Sequence, residues 1–537
     1  MSATLVLVNG RIHTQDPANP LVTAVAIRDD KILAIGTDDA MKALLGADGE
    51  LINLNGRTVT PGLVDAHVHF QWFALGLQRV NLDGSRNLAD ALSRIEDHII
   101  ANPPATPDEW LEGHGWAQDS WPERAFPTAQ QLDKLLPNRP AMLRHKSGHA
   151  AWVNSYALKV AGITAETPDP PGGEIQRDEN GRPTGILFEE AINLVSEHIP
   201  RPTTSQIANA MLAAQSYCWQ AGLTGIHDFD GRSSFLALQQ LHQNRQLGLR
   251  IVKNIPVYRL EHAIGVGLRT GFGDHWLRIG GVKIFADGAL GPRTAAMLAP
   301  YENDPDNTGI IVTDKEEMIE KATQASANGL SITIHAIGDR ANHDVLDVYE
   351  TVRQQEKRRG DTSLRHRIEH VQILHPNDIP RLNQLNIIAS MQPIHATSDM
   401  EMADRYWGVR AQYSYAWRTV LETGALVVFG SDAPIEAIDP IPGIHAAVTR
   451  RRADGSPGPN GWYPEQRLTL SEAIYAFTMA AALTSGQEKQ LGSITPGKLA
   501  DLTIFDRDIF SIPLHELQHI QIAGTIVGGE FKYRNID

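Results

Sequence analysis

Between about residues 210 and 487, short apolar runs alternate with helical patterns, and this alternation restricts the fold more than any other feature of the chain. Seven runs read as strands: GLTGIHDF (222–229), RIVKNIPVY (250–258), IGGVKIFAD (279–287), LSITIHAI (330–337), HRIEHVQIL (366–374), NIIASMQP (386–393) and ALVVFGSD (425–432). LVDAHVHF, which follows the turn signal Thr60-Pro61-Gly62, is an eighth and comes first in the chain. Strands separated by helices pair in parallel. Eight of them predict an α/β fold, a (β/α)8 TIM-like barrel, whose chemistry gathers at the C-terminal ends of its strands.

The two ends of the chain have a different character. Residues 1–60 and 488–537 are short strands punctuated by Gly, Pro, Asn and Asp, and they predict one small composite β-sandwich domain built from both ends. Hairpin turns are expected at Asn9-Gly10 and Asp29-Asp30. The barrel then occupies 61–487, with a long insertion at about 72–220 that holds helix-like LADALSRIEDHIIA and a hairpin turned at Asn180-Gly181. An insertion of that length at a barrel mouth is expected to form a lid or a substrate pocket.

Composition excludes several classes. A net charge of −15 argues against a nucleic-acid partner, which requires clustered Lys and Arg. No uninterrupted apolar run reaches the roughly 20 residues needed to span a bilayer, and the N-terminus lacks a basic start before an apolar segment. The expected location is cytoplasmic. Cys218 is the one cysteine, so no internal disulfide forms, and its helix-like setting QSYCWQAG predicts a packed core residue.

The reactive side chains fall late in the proposed strands. His67 and His69 lie two apart on the first strand, so both imidazoles share a face and are placed to share a metal ion. Lys283 sits among Val282, Ile284 and Phe285 on the fourth. Such a lysine snorkels or pairs with an acid; alternatively, desolvation removes its proton and it reacts with carbon dioxide to give an anionic carbamate. His335 ends the fifth strand, His370 the sixth and Asp432 the eighth. Each has an ordinary structural reading alone, but burying the set without a metal would leave several polar groups in search of partners.

Several motifs then carry a resemblance. PGLVDAHVHF, VKIFADGALGPRTAAM, ITIHAIGDRAN, HRIEHVQ, VVFGSDAPI and LGSITPGKLADLTIFD, with SGHAAWVNSYAL in the insertion, are similar to segments of the amidohydrolase superfamily. More narrowly, nearly the whole chain resembles its amidohydrolase-3 branch of YtcJ-like and N-substituted formamide deformylase-like proteins. The resemblance implies one or two divalent metal ions, zinc above all. His67, His69 and Asp432 would hold one ion, His335 and His370 the other, and carboxylated Lys283 would bridge them. It further implies hydrolysis of a C–N bond in a small-molecule amide or N-substituted formamide by metal-activated hydroxide, with Asp432 as the catalytic proton shuttle, and a homodimer. Cyclic-amide hydrolysis, deamination and a non-catalytic metal-binding scaffold are the alternatives. His149, Arg293, His395 and Trp121 are candidate substrate contacts, and Asp65, Asp287 and Asp339 are candidates for orienting the ligands.

Overall fold

The computed structural model describes residues 2–104, 106, 109–361 and 363–536. Eight parallel strands form one sheet in chain order: β1 (Leu63–Val68), β2 (Leu223–Asp228), β3 (Arg250–Pro256), β4 (Leu277–Phe285), β5 (Ile332–Ala336), β6 (Arg367–His370), β7 (Ile388–Met391) and β8 (Val427–Phe429). Each coincides with one of the runs expected from the sequence. β2, β6, β7 and β8 are buried along their whole length, as strands covered on both faces must be.

The end of β8 returns to β1. The Asp432 N–H donates to the His67 carbonyl and the His69 N–H to the Ala433 carbonyl, both at 2.8 Å. This closure brings the backbones so near that a Cβ at Gly430 would lie 2.6 Å from His67 N and 2.7 Å from an Asp65 carboxylate oxygen. Only glycine fits there. The buried Asp65 carboxylate joins the two strands by accepting the N–H groups of His67 (3.0 Å) and Ser431 (3.0 Å).

Both ends of the chain enter one six-stranded sheet, in the order 530–534, 522–527, 502–505, 58–61, 11–13, 21–22. Its join is antiparallel, with Leu502 opposite Pro61 and Ile504 opposite Val59. A four-stranded sheet of 31–36, 24–28, 3–8 and 45–53 shares a core with it, in which Leu5, Leu7, Val25 and Ile27 meet Val59, Leu502, Ile504 and Ile526. The Asp29-Asp30 turn closes a hairpin, with Arg28 opposite Lys31. Asn9-Gly10 does not. Residues 3–8 and 11–13 belong to different sheets, and this dipeptide is the corner between them, with Asn9 at φ +54°.

Residues 74–210 form a second compact unit with their own six-stranded sheet. Leu88–Ala101 is helical there, and strands 173–177 and 183–189 pair antiparallel around Asn180-Gly181. Trp116, Trp121 and Trp152 fill its core. Among the described residues of the whole chain, no helix is long and apolar enough to cross a membrane.

Candidate metal centre

β1, β6 and the segment after β8 bring His67, His370 and Asp432 together, with one donor atom from each lying within 4.8 Å of the others. His69 adjoins them: its Nε2 and that of His67 are each 3.5 Å from Asp432 Oδ1. In all three imidazoles Nδ1 is already engaged. His67 Nδ1 meets Glu369 Oε2 at 2.6 Å, His69 Nδ1 meets Asp230 Oδ1 at 3.1 Å, and His370 Nδ1 meets Gln392 Oε1 at 2.8 Å. Each partner fixes the tautomer that carries hydrogen on Nδ1 and leaves the Nε2 lone pair for the centre.

The electrostatics favour neutral rings at His67, His335 and His370, whereas at His69 the bond and charge of Asp230 outweigh burial and raise the pKa. Burial first, then the positive charge of Lys283, holds His67 well below the ordinary histidine range and His335 at about 3. Burial and the neighbouring imidazoles lower His370 likewise. Neutral imidazole is the form that binds metals. Burial pushes Asp432 up to about 6 against the pull of His69 and Lys283, and lowers Lys283 to about 8. The Lys283 ammonium lies 4.7 Å from the Phe229 ring and 4.8 Å from the Phe285 ring, and among the described residues no carboxylate is within ion-pair distance of it.

The donor set suits a divalent cation, since buried imidazoles and a carboxylate converge with the outer nitrogens of the rings occupied. Three buried polar atoms beside the centre, His395 Nε2, Gln392 Nε2 and Gln372 Oε1, also lack a hydrogen-bond partner. The residues fit the group.

Residues 50–533 match the family model described as "Amidohydrolase family". The chain belongs to this family. It is 33% identical to the protein LONG AFTER FAR-RED 3 of Arabidopsis thaliana, over 99% of this chain and 92% of that protein. It is 30% identical to the N-substituted formamide deformylase of Arthrobacter pascens, with 98% of each chain covered. Among solved structures, an uncharacterized metal-dependent hydrolase from Pyrococcus furiosus is similar, with a TM-score of 0.76 and 28% identity over 94% of this chain and 99% of that one.

The other sequence candidates divide. His395 reaches the centre, its Nε2 4.0 Å from Asp432 Oδ2 and its ring stacked 6.2 Å from that of His370. His335 stands 4.6 Å from His370 between ring centres, but its Nε2 bonds the Gly288 carbonyl at 2.9 Å and it is outside the close group. Asp287 backs His335 at 3.5 Å while accepting the N–H groups of Ala296, Ile337 and Gly338. Asp339 accepts the Leu298 N–H. Arg293 is engaged elsewhere: its guanidinium pairs with Asp304 at 2.7 Å. In the 74–210 unit, Trp121 is a core residue rather than a pocket wall, 1% exposed with its indole N–H on the Ser85 carbonyl. His149 is largely exposed and pairs with Glu189 at 3.0 Å. Cys218 is fully buried, and burial raises its thiol far above the ordinary range. Sequence reasoning passed over Glu369, Asp230 and Gln392, although Glu369 stands beside a chosen ligand in RIEH and Asp230 ends HDFD.

Proposed function

We propose that this protein is a metal-dependent hydrolase of a carbon–nitrogen bond in an N-substituted amide or formamide. The observation that carries the reading is the convergence of His67, His370 and Asp432, with His69 adjoining, each imidazole held by its far nitrogen. Similarity to an N-substituted formamide deformylase and to an uncharacterized metal-dependent hydrolase supports it. His67, His69, His370 and Asp432 would hold the ion, and zinc is the best match to these donors. Bound there, a divalent ion supplies Lewis acidity that polarises a carbonyl and lowers the pKa of water from about 15.7 to roughly 7.

Asp432 holds and moves the proton. Its carboxyl, raised to about 6, is mostly ionised at neutral pH yet basic enough to take a proton from the attacking water. The same oxygen then returns it to the departing nitrogen, which leaves as a neutral amine. His395 faces Asp432 from the other side. Gln372 Nε2 stands 3.5 Å from its Nδ1, which assigns the ring hydrogen to Nε2, 4.0 Å from Asp432 Oδ2, as a donor for a substrate oxygen. Lys283, desolvated between two rings, is the residue suited to carboxylation: its amine bonds the carbon of CO2, releases a proton and gains an anionic oxygen.

The test is amine release from a panel of N-substituted formamides and longer amides. The zinc-loaded protein should release amine, lose that activity on chelation and regain it with zinc. A zinc-loaded protein inert to the whole panel would contradict the proposal.

A further inference from the structure

Beneath His67 the barrel interior holds a guanidinium that touches none of the proposed ligands directly. Arg367 is 5% exposed and lies two residues before Glu369 on β6. Its Nε donates to Glu369 Oε1 and its Nη2 to Glu369 Oε2, the latter at 2.9 Å. Nη2 also reaches the Ala66 carbonyl at 2.6 Å and the Ser390 hydroxyl at 3.2 Å, while Nη1 meets His227 Nδ1 at 2.9 Å. One planar group therefore grips the carboxylate that holds the His67 ring and the carbonyl of the residue before it. Thr333 adds a hydroxyl to Glu369 Oε1.

We propose that Arg367 is a positioning residue for the cation site, fixing the direction of His67 Nε2 through Glu369 and the Ala66 carbonyl. The inference rests on the cation site of the preceding reading and on nothing about substrate or reaction. The geometry requires the guanidinium fork and not simply a positive charge. A buried Glu369 needs a counter-charge, which lysine also supplies, but one ammonium cannot span both carboxylate oxygens, the Ala66 carbonyl and His227 at once. A charge-balancing role and a positioning role thus separate in Arg367→Lys.

The experiment titrates apo protein with Co2+ and follows the visible absorption of the bound ion, with cooperative thermal unfolding as the check on folding. Wild type should bind one site. Arg367→Lys should weaken Co2+ binding by about 10- to 100-fold, the usual effect of losing a group that orients a ligand, and should change the absorption envelope. Affinity within about twofold of wild type and an unchanged spectrum would overturn the proposal. A second arm leaves both buried charges intact. His227→Gln keeps an acceptor for Nη1 and should stay within about threefold of wild type, whereas His227→Leu should lose about tenfold, the scale of one buried hydrogen bond. Equal affinities for the two would overturn the proposal even where the lysine variant fails to fold. A wild-type protein that binds no Co2+ would sink the cation site itself, and the role of Arg367 with it.

Discussion

At the scale of single residues, the centre depends on backbone conformations that side chains rarely adopt. His370, Val371 and Asp432 have φ of +76°, +47° and +63°. A β-branched residue such as Val371 is costly there, and strain of this kind concentrates at functional sites. The conformation explains what the sequence concealed. Strand alternation sends neighbours to opposite faces, so choosing His370 as a ligand turned Glu369 away from the site. The left-handed twist at His370 breaks that alternation, and both side chains reach His67. The His-x-His pair, by contrast, was legible because residues two apart share a side, and both Nε2 atoms do reach Asp432 although β1 shifts register against β2 between Asp65 and Val68. The Asp432→Asn variant should keep much of its metal, since His67, His69 and His370 remain. It should lose about 10²- to 10⁴-fold in turnover, the range of a proton-transfer group. Metal analysis alongside steady-state rates reads both quantities, and full turnover would remove Asp432 from the proton path.

At the scale of elements, the helix Asp339–Arg359 braces β6 from behind. Its Glu356, 1% exposed at the side chain, accepts His366 Nε2 at 2.8 Å, Ser326 at 2.7 Å and Arg353 at 2.7 Å. Burial raises this carboxyl, but the bonds from His366, Ser326 and Arg353 outweigh it and hold the group at about 2. His366 in turn accepts the Ile332 N–H on Nδ1 at 3.0 Å, and burial keeps it below the ordinary histidine range. Both shifts have the same sign, because the unfolded chain binds protons that the folded chain refuses. Stability is therefore full above the unfolded values near 6.5 and 4.5, and it drains away as the pH falls toward 2. The glutamate contributes at most about 3 kcal/mol of this. Urea midpoints at pH 7, 5 and 4 should fall steeply for wild type and less steeply for the double variant Glu356→Gln/His366→Gln, which has neither group to protonate; parallel slopes would contradict the assignment. Most of the eight strands were legible as short runs rich in apolar residues bounded by Gly, Pro or charge, whereas β6, Arg-Ile-Glu-His, was legible only within the longer run HRIEHVQIL. The Asn9-Gly10 corner was not, because the same dipeptide serves a hairpin and a passage between sheets, and only the long-range partners decide. For Asn9 and Gly10 these are Asp38 and Thr23.

At the scale of the whole molecule, the two ends of the chain meet under the barrel. Arg250, which opens β3, makes two 2.9 Å bonds to Asp501 of the C-terminal segment and stacks on Trp276 with 3.8 Å to the ring centre. Thr503 donates to the Gly222 carbonyl at 2.6 Å, just before β2. The −15 net charge and 42% hydrophobic content say nothing of this arrangement; it follows from strands 58–61 and 502–505 sharing one sheet. Asp501→Asn strands the buried Arg250 charge and should cost about 3–5 kcal/mol in urea unfolding. A cost within the noise of the measurement would mean that the ends are held together by their sheet alone.

The central claim is that one cation site lies where β1, β6 and the end of β8 converge. It is tested most directly by anomalous X-ray scattering at the zinc edge from crystals of the zinc-loaded protein. A strong peak is expected about 2.0–2.2 Å from His67 Nε2, His370 Nε2 and a carboxylate oxygen of Asp432. A zinc-replete crystal with no peak among those three side chains, or with its peak elsewhere in the chain, would contradict it.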